Sequence, residues 1–256
     1  MPTEVRHLVE SGQSYPVVRL IGVLDADTAG RVRTALLSAL ARQPEALIVD
    51  VCDLTVSDRA AVSVLSEVAR ETGDWPDAPL VLCAPQDAKV WRQLEFPVWP
   101  SPAEALAALG PPEKSHQLTL EMQPVVGAAR RSRELVTEAC GRWKLPDLAG
   151  PASIVVTEMV NNVVAHARTP MTVLLALRDG NLTVAVRDHS PTVPRFTGPV
   201  APTSYGGRGL LLIDSVARRW GNLLLEDGKV VWAILHPEDE TMGAAEPSHA
   251  AAGDLV

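Results

Sequence analysis

The sequence predicts two consecutive domains of different class: an α/β domain over residues 1–112, then an α+β domain with an antiparallel sheet over residues 113–238, with an acidic tail at 239–256. Three observations lead there. A chain of 256 residues is roughly twice the length of one ordinary domain, about 150 residues. Between residues 17 and 109, short apolar runs alternate with amphipathic stretches, the rhythm of strand and helix by turns. From residue 117 onward two helical segments come before strands that are joined by Asp-Gly turns, which is the order of an α+β domain.

The elements follow from the residues. Val17–Leu24 (VVRLIGVL) reads as a strand, and Ala26–Arg42 as a helix with Val32, Leu36, Leu37 and Leu40 at helical spacing. Leu47–Val51 is a short β-branched run of the kind buried in a parallel or mixed sheet. Helix is expected again at 59–71, strand at 79–84, and helix at 87–94 and 102–109. The segment GPPEKSH, 110–116, has no apolar periodicity and two prolines that stop a helix, so the domain boundary is placed there. Beyond it come a strand at 117–122, helices at 125–143 and 152–167, and strands at 172–178 and 182–188 about the turn Asp179-Gly180-Asn181. A further apolar helix is expected from the glycines at 206–209 to about Arg219, then strands at 222–226 and 229–235 about Asp227-Gly228. The tail after Pro237 is acidic and rich in small residues and is expected to be disordered.

Composition narrows the function classes. Hydrophobic residues are 46% and charged residues 21%, the balance of a globular protein. With 23 Lys and Arg against 31 Asp and Glu, the net charge of −8 supplies no cationic field for a polyanion. Direct nucleic-acid binding and attachment to an anionic membrane are therefore not expected. No uninterrupted apolar run reaches the length of a membrane span, and MPTEVRHLVESGQS lacks the parts of a signal peptide, so the cytoplasm is the expected location. Cys52, Cys83 and Cys140 are odd in number and far apart, and the six histidines show no zinc-ligand spacing.

Three segments carry chemistry. In ASIVVTEMVNNVVAHA, 152–167, most of the helix circumference is apolar, yet Glu158, Asn162 and His166 fall at i, i+4 and i+8 on one narrow stripe. A solvent face would look the same. The adjacent Asn161 and Asn162 speak for a ligand-facing role, since mid-helix asparagine adds nothing to helix stability. Asp188 closes the strand LTVAVRD and precedes the long loop 189–205, and a carboxylate there can accept a hydrogen bond from a ligand amine. After that loop, Gly206-Gly207-Arg208-Gly209-Leu210 opens a helix, a place where backbone N–H groups can approach a phosphate.

In this order, Glu158 and Asn162, then Asp188, then Gly207 and Gly209 resemble the nucleotide-binding boxes of GHKL ATPases. TEMVNNVVAHA, VAVRDHSP and GGRGLLLIDSVARRWG are most similar to the anti-sigma-factor serine kinase branch, over about residues 117–236. The resemblance implies a Bergerat-type α+β sandwich that binds ATP and Mg²⁺. Asn162 would be an oxygen ligand to the metal, Glu158 the catalytic base, and Asp188 the acceptor for the adenine amine. Gly207, Arg208, Gly209 and Leu210 would hold the phosphates. On this reading GTP competes poorly. Two departures stand out: the glycines expected after Asp188 are replaced by His189-Ser190-Pro191-Thr192, and Val230 lies where relatives carry a Thr near the adenine site.

The first half, about residues 5–109, is similar to STAS domains, the fold of anti-sigma-factor antagonists, in RLIGVLDADTAGRVRTALLSAL and LIVDVCDLTVSDRAAVSVL. Antagonists carry Asp-Ser-Ser-Gly at a helix start and are phosphorylated on the second Ser. Here the matching residues are Asp58-Arg59-Ala60-Ala61, without an acceptor hydroxyl. The resemblance thus implies an ATP-dependent regulator of a bacterial partner-switching system, an anti-sigma factor and serine/threonine kinase in transcription regulation. It would act on a separate STAS antagonist or a sigma factor and carry a degenerate STAS domain of its own. The alternative is a non-catalytic interaction protein that binds ATP and partner without transferring phosphate, and a homodimer stays open in either case.

Overall fold

The computed structural model describes residues 5–10, 15–85, 89–112, 116–192 and 208–237. The expected tail at 239–256, most of the loop 189–205, Gly207 and the Arg208 side chain lie outside the described residues. What is described forms two units, divided between residues 112 and 116.

The first unit is a five-stranded mixed sheet in the order β1-β2-β3-β4-β5. Its strands are β1 (Arg6–Glu10), β2 (Val17–Leu24), β3 (Leu47–Val56), β4 (Leu80–Cys83) and β5 (Val98–Trp99). Only β1 runs antiparallel to its neighbour, and β2 to β5 pair in parallel. Helices α1 (Ala26–Leu40) and α2 (Ser63–Glu71) supply the crossovers from β2 to β3 and from β3 to β4, and α3 (Pro102–Leu109) follows β5. Helix α1 begins where it does because Asp25 and Thr28 cap reciprocally. The Thr28 N–H donates to Asp25 Oδ1 at 2.9 Å, and the Asp25 N–H donates to Thr28 Oγ1 at 2.9 Å. The helix buries Val32, Leu36, Leu37 and Leu40, the residues at the expected spacing. The described part of the expected helix 87–94, residues 89–94, differs from expectation, since a 3₁₀ turn, Trp91–Gln93, forms there. No side chain caps that turn, and Trp91 inserts into the core at 2% exposure, so one anchored side chain replaces a helical face.

The second unit is a five-stranded antiparallel sheet in the order β6-β7-β8-β10-β9. Its strands are β6 (His116–Met122), β7 (Met171–Arg178), β8 (Asn181–Asp188), β9 (Arg219–Leu225) and β10 (Gly228–Leu235). Alternation along the strands turns Met122, Val173, Leu175, Val184, Val186, Val231 and Ala233 to one face, where they form a single core with residues of three helices. These are α4 (Ala128–Trp143), α5 (Ala149–Asn162) and α6 (Arg208–Val216). Val155, Val156 and Val160 of α5 are fully buried in that core, at about 1.5–3 kcal/mol for each such side chain. By length and composition Pro146–Ala167 also passes for a membrane-crossing helix, and the burial of these valines accounts for its apolar character.

Several boundaries differ from the sequence reading, and α5 begins at Ala149 rather than Ala152. Helix α4 starts at Ala128 rather than Val125. The expected helix to Arg219 ends at Val216, because Arg219 pairs with Ile234 and opens β9. The expected helix 152–167 stops being α-helical at Asn162, and Val163–Ala167 is a π turn in which the Arg168 N–H donates to Val163 O at 2.7 Å. Such widened turns occur preferentially at functional sites.

Candidate functional site

The end of α5, the π turn and the first turn of α6 roof a cavity of about 300 Å³ whose floor is the helix-facing side of β8 and β10. This is the lower end of the range for small-molecule sites. Met159, Val163, Val186 and Val231 give it apolar walls, and Asn162, His166, Asp188, Ser190, Thr192 and Lys229 give it polar groups.

Each polar group is placed by a local rule. Asn162 is the last α-helical residue of α5, His166 lies in the π turn that follows, and both line the cavity. Asp188 ends β8 on the same face as Val184 and Val186 and is 1% exposed. Its Oδ1 accepts from the Ser190 N–H at 2.7 Å, so the residue that replaces the expected glycine folds the chain back onto the carboxylate. Gly209 and Leu210, in the first turn of α6, line the opposite wall.

Asn162, Asp188, Gly209 and Leu210 therefore come together, as the sequence leads one to expect. Glu158 stands one helical turn before Asn162 and beside Gly209. A methyl group built on Gly209 would lie 2.6 Å from Glu158 Oε2. Glycine at 209 is what lets the carboxylate and the first turn of α6 approach so closely.

Sequence reasoning missed Lys229, whose Nζ lies 2.8 Å from both carboxylate oxygens of Asp188 and donates to Ser190 O at 3.1 Å. The two side chains are 6% and 2% exposed. Val230 is opposite Arg187 on the other face of the sheet, while Lys229 is opposite Asp188. Parity carried the signal: in GKVVWAIL the single charge shares a face with Val231 and Ala233, both members of the helix-packed core.

A five-stranded antiparallel sheet covered on one face by helices gives the second unit the α+β sandwich architecture expected of a GHKL-type fold. Comparison with known proteins makes the assignment for both units. Family models match residues 7–96 as a STAS domain and residues 124–234 as a histidine kinase-like ATPase domain. The chain is thus a STAS domain fused to a histidine kinase-like ATPase domain.

An uncharacterised protein of Streptomyces coelicolor is 44% identical over 69 residues, which make up 25% of this chain and 66% of that relative, just short of two thirds. Among solved structures, an anti-sigma factor antagonist from Mycobacterium paratuberculosis is 23% identical with a TM-score of 0.36, covering 42% of this chain and 96% of that one. The RsbU and RsbW domains of a Mycobacterium tuberculosis protein are 17% identical with a TM-score of 0.35. That match covers 47% of this chain and 31% of that structure.

In the STAS unit, Ala60 is exposed at the start of the short helical turn before α2. Its N–H donates to Asp58 Oδ1 at 2.9 Å. The position that the resemblance aligns with a phosphorylated serine is accessible and carries only a methyl group. Burial pushes the thiols of Cys52 and Cys83 up to about 12, with Asp50 adding to the effect at both. Neither is a nucleophile at neutral pH.

Proposed function

We propose that the chain is an ATP-binding regulator of a partner-switching system, in which the C-terminal domain binds Mg-ATP and acts on a separate STAS antagonist or a sigma factor. The observation that carries this reading is the convergence of Asn162, Asp188, Gly209 and Leu210 on one cavity, from three segments far apart in sequence. The donor set suits the group. Asn162 offers a neutral amide oxygen of the kind a hard cation takes, Asp188 offers a buried acceptor at the base end, and α6 points its N-terminus at the cavity as an anion site. Mg-ATP supplies a transferable γ-phosphoryl group whose charge the metal offsets.

The protein's own part would be positioning and proton handling. Asn162 would hold the cation, the first turn of α6 would bind the phosphates, and Glu158, held beside Gly209, would accept the proton of an approaching Ser or Thr hydroxyl. The STAS unit, lacking a hydroxyl at Ala60, would be a docking or autoinhibitory element rather than a phospho-switch. The cytoplasm is the expected site of action. A second reading, binding without transfer, draws support from the Asp188–Lys229 pair, which no simple adenine-reading carboxylate requires.

Incubation of the full chain with Mg²⁺ and γ-labelled ATP beside candidate STAS proteins separates the two. Label on a partner serine supports the kinase. Nucleotide binding with no label on any partner supports the binding-only protein.

A further inference from the structure

A carboxylate alone on a cavity wall can only accept. It suits the 6-amino group of adenine and repels the 6-oxo group of guanine or hypoxanthine. In this cavity the carboxylate is not alone. Lys229 Nζ lies 2.8 Å from both Asp188 oxygens, the pair is almost wholly buried, and both residues line the cavity. The pair has no net charge, so the repulsion of a 6-oxo group is lost.

The hydrogen-bond inventory shows what remains for a ligand. Oδ1 is filled by the Ser190 N–H and by Nζ, while Oδ2, which among the described residues faces Nζ, keeps acceptor capacity. Two of the three Nζ hydrogens go to Oδ1 and to Ser190 O, and the third is left for Oδ2 or a ligand. The wall therefore offers an acceptor beside a donor. Adenine presents N6–H beside the acceptor N1, and hypoxanthine presents N1–H beside the acceptor O6. Each edge has one donor next to one acceptor but in opposite order, so a wall that takes adenine in one orientation takes hypoxanthine with the ring turned over.

We infer that Lys229 is a specificity-determining residue that makes the purine site accept 6-oxo as well as 6-amino bases. The inference rests on the nucleotide-binding reading above and revises its expectation that GTP competes poorly.

The test uses ATP and inosine triphosphate, which have the same ring skeleton and differ at the 6-position and N1. Dissociation constants for both, with Mg²⁺, are measured by calorimetric titration of the full-length protein and of Lys229→Thr, with folding of each checked by circular dichroism. The wild-type constants are expected to lie within about ten-fold of each other, a gap no larger than one buried hydrogen bond makes. Lys229→Thr is expected to widen the preference for ATP beyond about ten-fold. A wild-type preference for ATP above ten-fold overturns the inference, as does a folded Lys229→Thr whose ratio stays below it. If Lys229→Thr fails to fold, the wild-type ratio decides. Binding of neither nucleotide by the wild type refutes the nucleotide-site reading itself, an outcome distinct from selective ATP binding.

Discussion

Replacing Lys229 with Met would leave the Asp188 carboxylate in a site where it is 2% exposed, with the Ser190 N–H as its remaining partner. Breaking one side of a buried ion pair costs about 3–5 kcal/mol. The expected loss is thus about 3–5 kcal/mol, a fall of roughly 15 °C in the C-terminal transition. Asp188→Asn combined with Lys229→Met removes both charges and should cost about 1 kcal/mol or less, so the coupling in the double-mutant cycle should exceed about 2 kcal/mol. Scanning calorimetry of the full-length variants measures these quantities. A single-variant loss below about 1 kcal/mol, or additive losses in the cycle, would refute the argument that the two charges sustain each other.

Two glycine substitutions should part company. At Gly228, where φ is +148°, an added Cβ would stand 2.0 Å from the Asp188 carbonyl oxygen and 2.7 Å from the His189 Cα. Gly228→Ala must move backbone at the end of β8 and should lose about 3 kcal/mol or more by denaturant titration. At Gly209 the close neighbour is the far end of the Glu158 side chain, which can swing away, so Gly209→Ala should cost under about 1 kcal/mol while lowering partner phosphorylation about ten-fold or more. For the STAS thiols, the folded values near 12 for Cys52 and Cys83 lie above the roughly 8.5 of an unfolded thiol. Their contribution to stability is intact below about pH 8.5 and is lost as pH rises toward 12, which Cys→Ala variants should flatten in alkaline unfolding curves.

Periodicity made much of this architecture legible. Val17–Leu24 forms the expected strand residue for residue, and the Asp179-Gly180 turn joins β7 to β8 as its composition implies. Such elements depend on local patterning, which a single chain displays. Residues 89–94 are different, because their apparent helical rhythm reflects the burial of Trp91, a tertiary effect that spacing cannot show. The π turn at Val163–Ala167 is likewise invisible in a stripe spaced i, i+4, i+8, which fits an unbroken α-helix equally well. In the site, the three ordered boxes named Asn162, Asp188 and Gly209. Lys229 was missed because its meaning depends on strand register, which sets it opposite Asp188 across β8 and β10.

The central claim is that the cavity under α5 and α6 is a Mg-ATP site, and the most direct test is titration of ATP into full-length wild type and Asn162→Ala, each with and without Mg²⁺. Asn162 borders the cavity from the end of α5 and has no part in the Asp188–Lys229 pair, so its loss should spare the fold. Saturable wild-type binding that strengthens with Mg²⁺, and an Asn162→Ala variant that has lost that metal-dependent increment, is the expected result. Absence of saturable binding, or an Mg²⁺ effect of the same size in Asn162→Ala, would contradict the account.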